Sequence, residues 1–346
     1  VDFARDVKRG ANMCSAHLMN NIDMEGYSDA FIPIGSTRSP YFGEFDGGGY
    51  TISNLHVSGR DYTGLFGVVK GDVYIHDLTL DQSCRISGED YVAFVGGSND
   101  SGTVTLEQVG NEADVTGTGM NVAGLIGVNM NSSATFVLRN CYNTGRISGN
   151  RESAGLSGWL GDNATVENCY NIGIVEGVEG NYTFARYGDN PTFIDCYELN
   201  SRQTADVISV NAVAVSSGEL CYRLCHGSTP TGVWRQNLGA DNYPVLLSSH
   251  AEVLLKGGAY TNTMLLPGDV NSDGTVNVTD FTALANYILG NPPVSFDPKA
   301  ADLNGDGNVN VTDLIAVANM ILSGDASVRV KPQRTYDIEL GTMEKK

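Results

Sequence analysis

The sequence predicts a mainly β fold, a right-handed parallel β-helix followed by a small all-α calcium-binding unit. Three observations predict it. A glycine-punctuated phrase recurs through the first 198 residues, short alternating apolar runs lie between its turn residues, and two Asp/Asn/Gly loops near the C-terminus each precede a helical apolar stripe.

The recurring phrase reads GLFGVVKGDVYIHDLTL from Gly64, GLIGVNMNSSATFVLRNCYNTG from Gly124 and GLSGWLGDNATVENCYNIG from Gly155, with looser copies from Ala93 and Tyr182. Aligning the copies stacks Leu55, Leu78, Val109, Cys141, Cys169 and Cys196, with steps of 23, 31, 32, 28 and 27 residues. Variable steps suit a solenoid, whose loops can lengthen outside while an inward ladder is kept. Runs such as Val73, Tyr74, Ile75 and Thr165, Val166, Glu167 are too brief for helices. A coil cannot bury its apolar face alone, so the ends need caps. Residues 1–40 are the expected N-terminal cap, 41–198 the β-helix, 199–266 the C-terminal cap and linker with Trp234, 267–323 the calcium unit and 324–346 a tail.

In the C-terminal unit, residues 269–289 (DVNSDGTVNVTDFTALANYIL) and 302–322 (DLNGDGNVNVTDLIAVANMIL) align without gaps. Each begins D-x-N-x-D-G-x-V-N-x-x-D, which sets oxygen side chains at the spacing a hard cation with six to eight oxygen ligands requires. The expected ligands are Asp269, Asn271, Asp273, Asn277 and Asp280 with the carbonyl of Thr275, then Asp302, Asn304, Asp306, Asn310 and Asp313 with the carbonyl of Asn308. Two calcium ions are expected. Gly274 and Gly307 stand at the sharp turn. Phe281, Leu284, Ala285, Ile288 and Leu289 follow at helical spacing, repeated by Leu314, Val317, Ala318, Ile321 and Leu322. Each stripe is expected to face its twin, linking folding to metal binding. Asn277 and Asn310 lie in N-V-T sequences, but a glycan on a metal ligand would destroy the loop, which favours bacterial over eukaryotic secretion.

These loops, with Asp in the last ligand position and no helix ahead of them, resemble the type I dockerins over residues 267–323. The resemblance implies a cohesin-like partner contacted by Val278, Thr279, Val311 and Thr312; the alternative is that these residues pack on the chain's own β-helix. FDGGGYTISNL, YTGLFG and the other G-L-x-G phrases resemble the GLUG-motif group of bacterial extracellular proteins over residues 40–198. That motif describes a structural repeat and implies no chemistry.

The composition narrows the partners. The net charge of −19 repels nucleic acid and anionic membrane surfaces. No apolar run approaches the ~18 residues of a membrane span, and residues 1–10 (VDFARDVKRG) lack a signal-peptide core, so no membrane insertion is expected. Seven cysteines leave at least one thiol unpaired within the chain. Cys141, Cys169 and Cys196 are expected to stack inside as small apolar groups, and Cys221 and Cys225 to pack in the cap.

No catalytic residue is assigned. Asp46, Asp77, Asp90, Asp162 and Asp195 are candidate carboxylates, most of them in turns, and the five histidines are scattered along the chain. Asn143 with Asn171 and Tyr142 with Tyr170 could present a ladder to a sugar or protein, or the asparagines could bond their own turns. The reading is a secreted or surface-displayed bacterial binding scaffold, with a glycan or host-surface molecule as a further candidate ligand. Its rivals are a carbohydrate-active enzyme carried by the same attachment unit, and a structural spacer with that unit docked on its own β-helix.

Overall fold

The computed structural model describes residues 1–98, 102–129, 133–199, 206–228, 231–256, 258–262, 267–271, 275–293 and 296–323. It divides into two compact units, Val1–Asn262 and Thr263–Lys346.

The first unit is a parallel β-solenoid of about six turns. The first two coils each contribute one strand to each of three parallel sheets, Glu44–Ser53, His56–Ser58 and Phe66–Val69 in the first, and Val73–Leu80, Arg85–Gly88 and Val95–Ser98 in the second. The G-L-x-G phrase forms a corner where backbone meets backbone. A Cβ on Gly64 would lie 2.0 Å from the Ala93 carbonyl oxygen, and one on Gly127 2.3 Å from that of Gly96. Only glycine permits that approach. The intervening Leu65, Leu125 and Leu156 point into the core.

The N/D-C-Y phrase forms another corner. Asn140, Asn168 and Asp195 adopt left-handed backbone, as do Asp77 and Gln108 at the same level of earlier coils. Asn and Asp tolerate that conformation better than most residues. The next residue then faces inward: Leu78, Val109, Cys141, Cys169 and Cys196 are all buried in one core. Burial pushes the Cys196 thiol up to about 12 and that of Cys169 well above its ordinary value, so both are held as apolar groups.

Leu55 does not join this ladder. Tyr50 pairs with Leu78, and the amide of Arg85 donates to the Leu55 carbonyl, which sets Leu55 beside Cys84 instead. Asn54 is itself left-handed, as Asp77 is, so Asn54 and Leu55 repeat the Asx-apolar phrase at a different corner, level with Ser83 and Cys84. The same phrase marks both corners, so the apolar pattern does not tell them apart.

Asn111, Asn143 and Asn171 line the inside of the next corner. Asn111 Nδ2 donates to Asn143 Oδ1 at 2.7 Å, Asn143 Nδ2 to Asn171 Oδ1 at 2.8 Å, and each also donates to a carbonyl of its own turn. The asparagines are therefore internal, as the turn-bonding alternative has it.

The tyrosines face outward from the coils yet are also buried. Tyr142 and Tyr170 stack with centroids 5.3 Å apart, and Trp234 packs on both at 5.9 and 5.3 Å. The segment after the last coil first adds Ile208–Val210 to the sheet end and then folds back over this face. Its helix Glu219–His226 buries Cys221 and Cys225. At the other end of the unit, helix Asp2–Lys8 inserts Ala4 and Val7 into the solenoid core.

The second unit holds helices Val278–Ile288, Pro298–Ala301 and Val311–Ser323 around Val270, Leu284, Ala301 and Val317. The apolar stripes are turned slightly from expectation. Leu289 and Leu322 are 74% and 86% exposed, while Ala283, Ala316 and Met320 are buried. Two short facing helices bury only the centre of each stripe, and its far edge rotates out.

Candidate calcium-binding loops

The described part of each loop folds its acceptor oxygens onto its own backbone. In the second loop, Asp302 accepts from the amides of Gly305, Asp306 and Gly307 at 2.8, 3.2 and 2.8 Å. Asn304 Oδ1 accepts from the Asp306 amide and Asp306 Oδ1 from that of Asn308. Asp313 returns from the first turn of its helix to accept from Leu303 and Asn310 at 3.0 Å each.

The first loop repeats the closing contact. Asp280 accepts from Asn271 at 3.2 Å and from Asn277 at 2.9 Å. Asn277 caps the helix by accepting from the Thr279 amide, so with Asp280 it forms a capping box. Asn310 accepts likewise from the Thr312 amide. One Asx-x-x-Asp phrase thus starts the helix and aims a carboxylate back into the loop. Asp273 and Gly274, like the tail at 324–346, lie outside the described residues.

Asp280 and Asp313 are both 0% exposed and Asp269 is buried. Carboxylates held this far from water need a compensating cation or several donors. The donor set is oxygen throughout, carboxylate, amide and carbonyl, which suits calcium over softer ions. Val278 and Val311 are 65% and 56% exposed, and Thr279 and Thr312 are exposed beside them.

Residues 267–322 match the family model described as Dockerin type I domain. Residues 267–322 carry a type I dockerin domain. Such domains typically bind calcium, and a dockerin implies assembly with a cohesin. They are typical of extracellular components, and among the described residues no helix is long and apolar enough to cross a membrane. Halomucin of Haloquadratum walsbyi is 38% identical to this chain over 89 residues, 25% of the chain, which spans about 1% of the length of that relative. A crystal structure from Bacteroides ovatus, described provisionally as an immunoglobulin A1 protease, covers 68% of this chain and 86% of its own at 18% identity and a TM-score of 0.49.

The candidate carboxylates of the solenoid part company. Asp90 accepts from the Met120 amide at 2.7 Å and Asp195 from that of Ser228, so both brace backbone. Asp46 and Asp77 instead converge on His76. The histidines that look scattered in the sequence are in part gathered by the coils.

Proposed function

We propose that this chain is an extracellular bacterial binding scaffold, attached through its calcium-loaded dockerin to a cohesin-like domain. The observation that carries the reading is the twin loop, in which each copy returns a buried carboxylate from a helix N-terminus onto the backbone it must close. Two ions are assigned. Asp269, Asn271, Asp273, Asn277, Asp280 and the Thr275 carbonyl would hold one; Asp302, Asn304, Asp306, Asn310, Asp313 and the Asn308 carbonyl would hold the other. Calcium supplies charge neutralisation and fixes the helices, and the exposed Val278, Thr279, Val311 and Thr312 form the docking face.

The solenoid is read as non-catalytic, with a glycan or host-surface molecule as its candidate ligand. Support comes from the repeated cysteines, asparagines and tyrosines, which are all buried in packing. A carbohydrate-active enzyme is the second reading, and the convergence of Asp46 and Asp77 on His76 is what favours it.

The test is capture of the full chain on an immobilised type I cohesin, in calcium and then in chelator. Capture is expected in calcium alone, with the double variant Val278→Asp, Val311→Asp reduced at least tenfold. Equal capture in chelator would remove the calcium-dependent reading. Release of reducing sugar from a polysaccharide panel, at enzymatic rates, would replace the scaffold by the enzyme.

A further inference from the structure

Two of the chain's five histidines share one carboxylate on the outside of the solenoid. Parallel register brings them there. His17 pairs with Asp46, Asp46 with His76, and His76 with Glu107, so four successive ladder positions carry titratable groups. Strand alternation sends the neighbours Phe45 and Ile75 into the core and leaves Asp46 and His76 outward. At the corner that follows, left-handed Asp77 turns its carboxylate back over the same face.

The distances describe a compact ligand set. His76 Nδ1 lies 2.6 Å from Asp77 Oδ2 and 3.7 Å from Asp46 Oδ1, and one donor atom from each of the three residues falls within 4.8 Å of the others. The outer contacts are also in place. His76 Nε2 faces Glu44 Oε1 at 3.4 Å, and His17 Nδ1 lies 2.6 Å from the second oxygen of Asp46. The His76 ring is pinned by stacking on Tyr74 at 4.2 Å, and the Tyr74 hydroxyl donates to Glu107 at 2.9 Å.

We propose that Asp46, His76 and Asp77 bind one divalent transition-metal ion of the zinc type, with Glu44 and His17 orienting the ligands. An imidazole nitrogen with two carboxylates is the donor set of zinc and its neighbours, whereas calcium takes oxygen alone. A ligating imidazole whose other nitrogen meets a carboxylate is the usual outer arrangement of such sites. Glu44, Asp46, Asp77 and Glu107 place four carboxylates against two histidines, an excess of negative charge that a divalent cation offsets. An open groove of about 710 Å3, lined in part by Glu44, Tyr74, Thr103 and Thr105, lies one outward step along the same strands. Three protein ligands leave a coordination position open to solvent.

The experiment titrates Zn²⁺ into the full chain with calcium in excess, so that the dockerin loops are filled, and uses Co²⁺ absorption to report the ligand field. One Zn²⁺ per chain and a Co²⁺ spectrum with a nitrogen ligand are expected. His76→Gln should weaken Zn²⁺ by more than about 100-fold, and His17→Ala by about 10- to 100-fold, the range for an outer contact. Asp77→Asn keeps the fold, because Asn140 and Asn168 hold the same left-handed corner in later coils, and it should also weaken Zn²⁺ by more than about 100-fold. No Zn²⁺ uptake by the calcium-loaded unmodified chain would overturn the proposal. So would unchanged affinity in both His76→Gln and Asp77→Asn.

Discussion

The solenoid and the dockerin solve opposite problems with the same residue types. In the solenoid, Asn and Asp mark corners, bond to backbone or to each other, and carry a ladder of apolar side chains inward. In the dockerin, Asn and Asp are crowded onto two loops around a core of a few small residues, with two carboxylates fully buried. In the first arrangement each coil satisfies the backbone of the next. The second accumulates charge that protein donors only partly offset, so its stability is expected to depend on an ion. The lesson is that an Asp/Asn/Gly cluster is a turn or a metal loop according to whether its oxygens bridge to a neighbouring coil or crowd onto the amides of their own loop.

Calcium removal should separate the two most strongly. A ligand at a thousandfold its dissociation constant stabilises a fold by about 4 kcal/mol per site. Chelator should therefore abolish helical ellipticity from the dockerin while the β signal and the main melting transition of the solenoid persist. A solenoid transition that falls with the helical signal would break the comparison.

Gly127→Ala should reverse the pattern, striking the solenoid alone. Its Cβ would sit 2.3 Å from the Gly96 carbonyl oxygen, an overpacking expected to cost about 1–3 kcal/mol. Denaturant melting of the variant should show that loss with calcium stoichiometry unchanged in calorimetry.

Asn143→Leu tests the internal ladder. It removes the bonds to Asn111, Asn171 and the Gly145 carbonyl, but Asn111 Nδ2 still reaches Ala113 and Asn171 Oδ1 still accepts from Gly173. Both neighbouring asparagines keep at least one partner, so the cost should sit near the low end for broken buried bonds, about 1–2 kcal/mol by the same melting measurement.

The smallest effect is electrostatic. Burial lifts the Glu112 carboxyl above its ordinary value, against the hydrogen bonds from Tyr142 and Tyr243 that lower it. A raised folded pKa favours the protonated folded form, so this contribution is full below the unfolded value and fades as pH rises through the folded one. Glu112→Gln should flatten the corresponding fall in solenoid melting temperature just above the ordinary carboxylate range. An unchanged pH profile would assign the slope to other groups.

The dockerin domain and its helices were legible in the sequence because every residue of a loop, and the apolar stripe behind it, lies within a few turns of chain. The inward cysteine ladder was legible for a similar reason, since its corner is a three-residue phrase that repeats. Leu55 was misplaced because Asn54 and Leu55 carry the left-handed Asx-apolar phrase of the ladder at a different corner of the coil. Leu289 and Leu322 were placed inside because a stripe on one helix does not state how much of it a short partner covers.

The sequence by itself therefore determined the local chemistry: which residues turn, which start helices, which phrases stack as coils and which oxygens gather on one loop. Only the tertiary structure decided what those coils bring together. It buried the outward tyrosines under Trp234, turned Asn143 and Asn171 inside, and set His17, Asp46 and His76 on one face. The physical reason is that strand alternation fixes the two faces locally, whereas register between coils and the segment that covers a face depend on pairings between residues far apart in the chain.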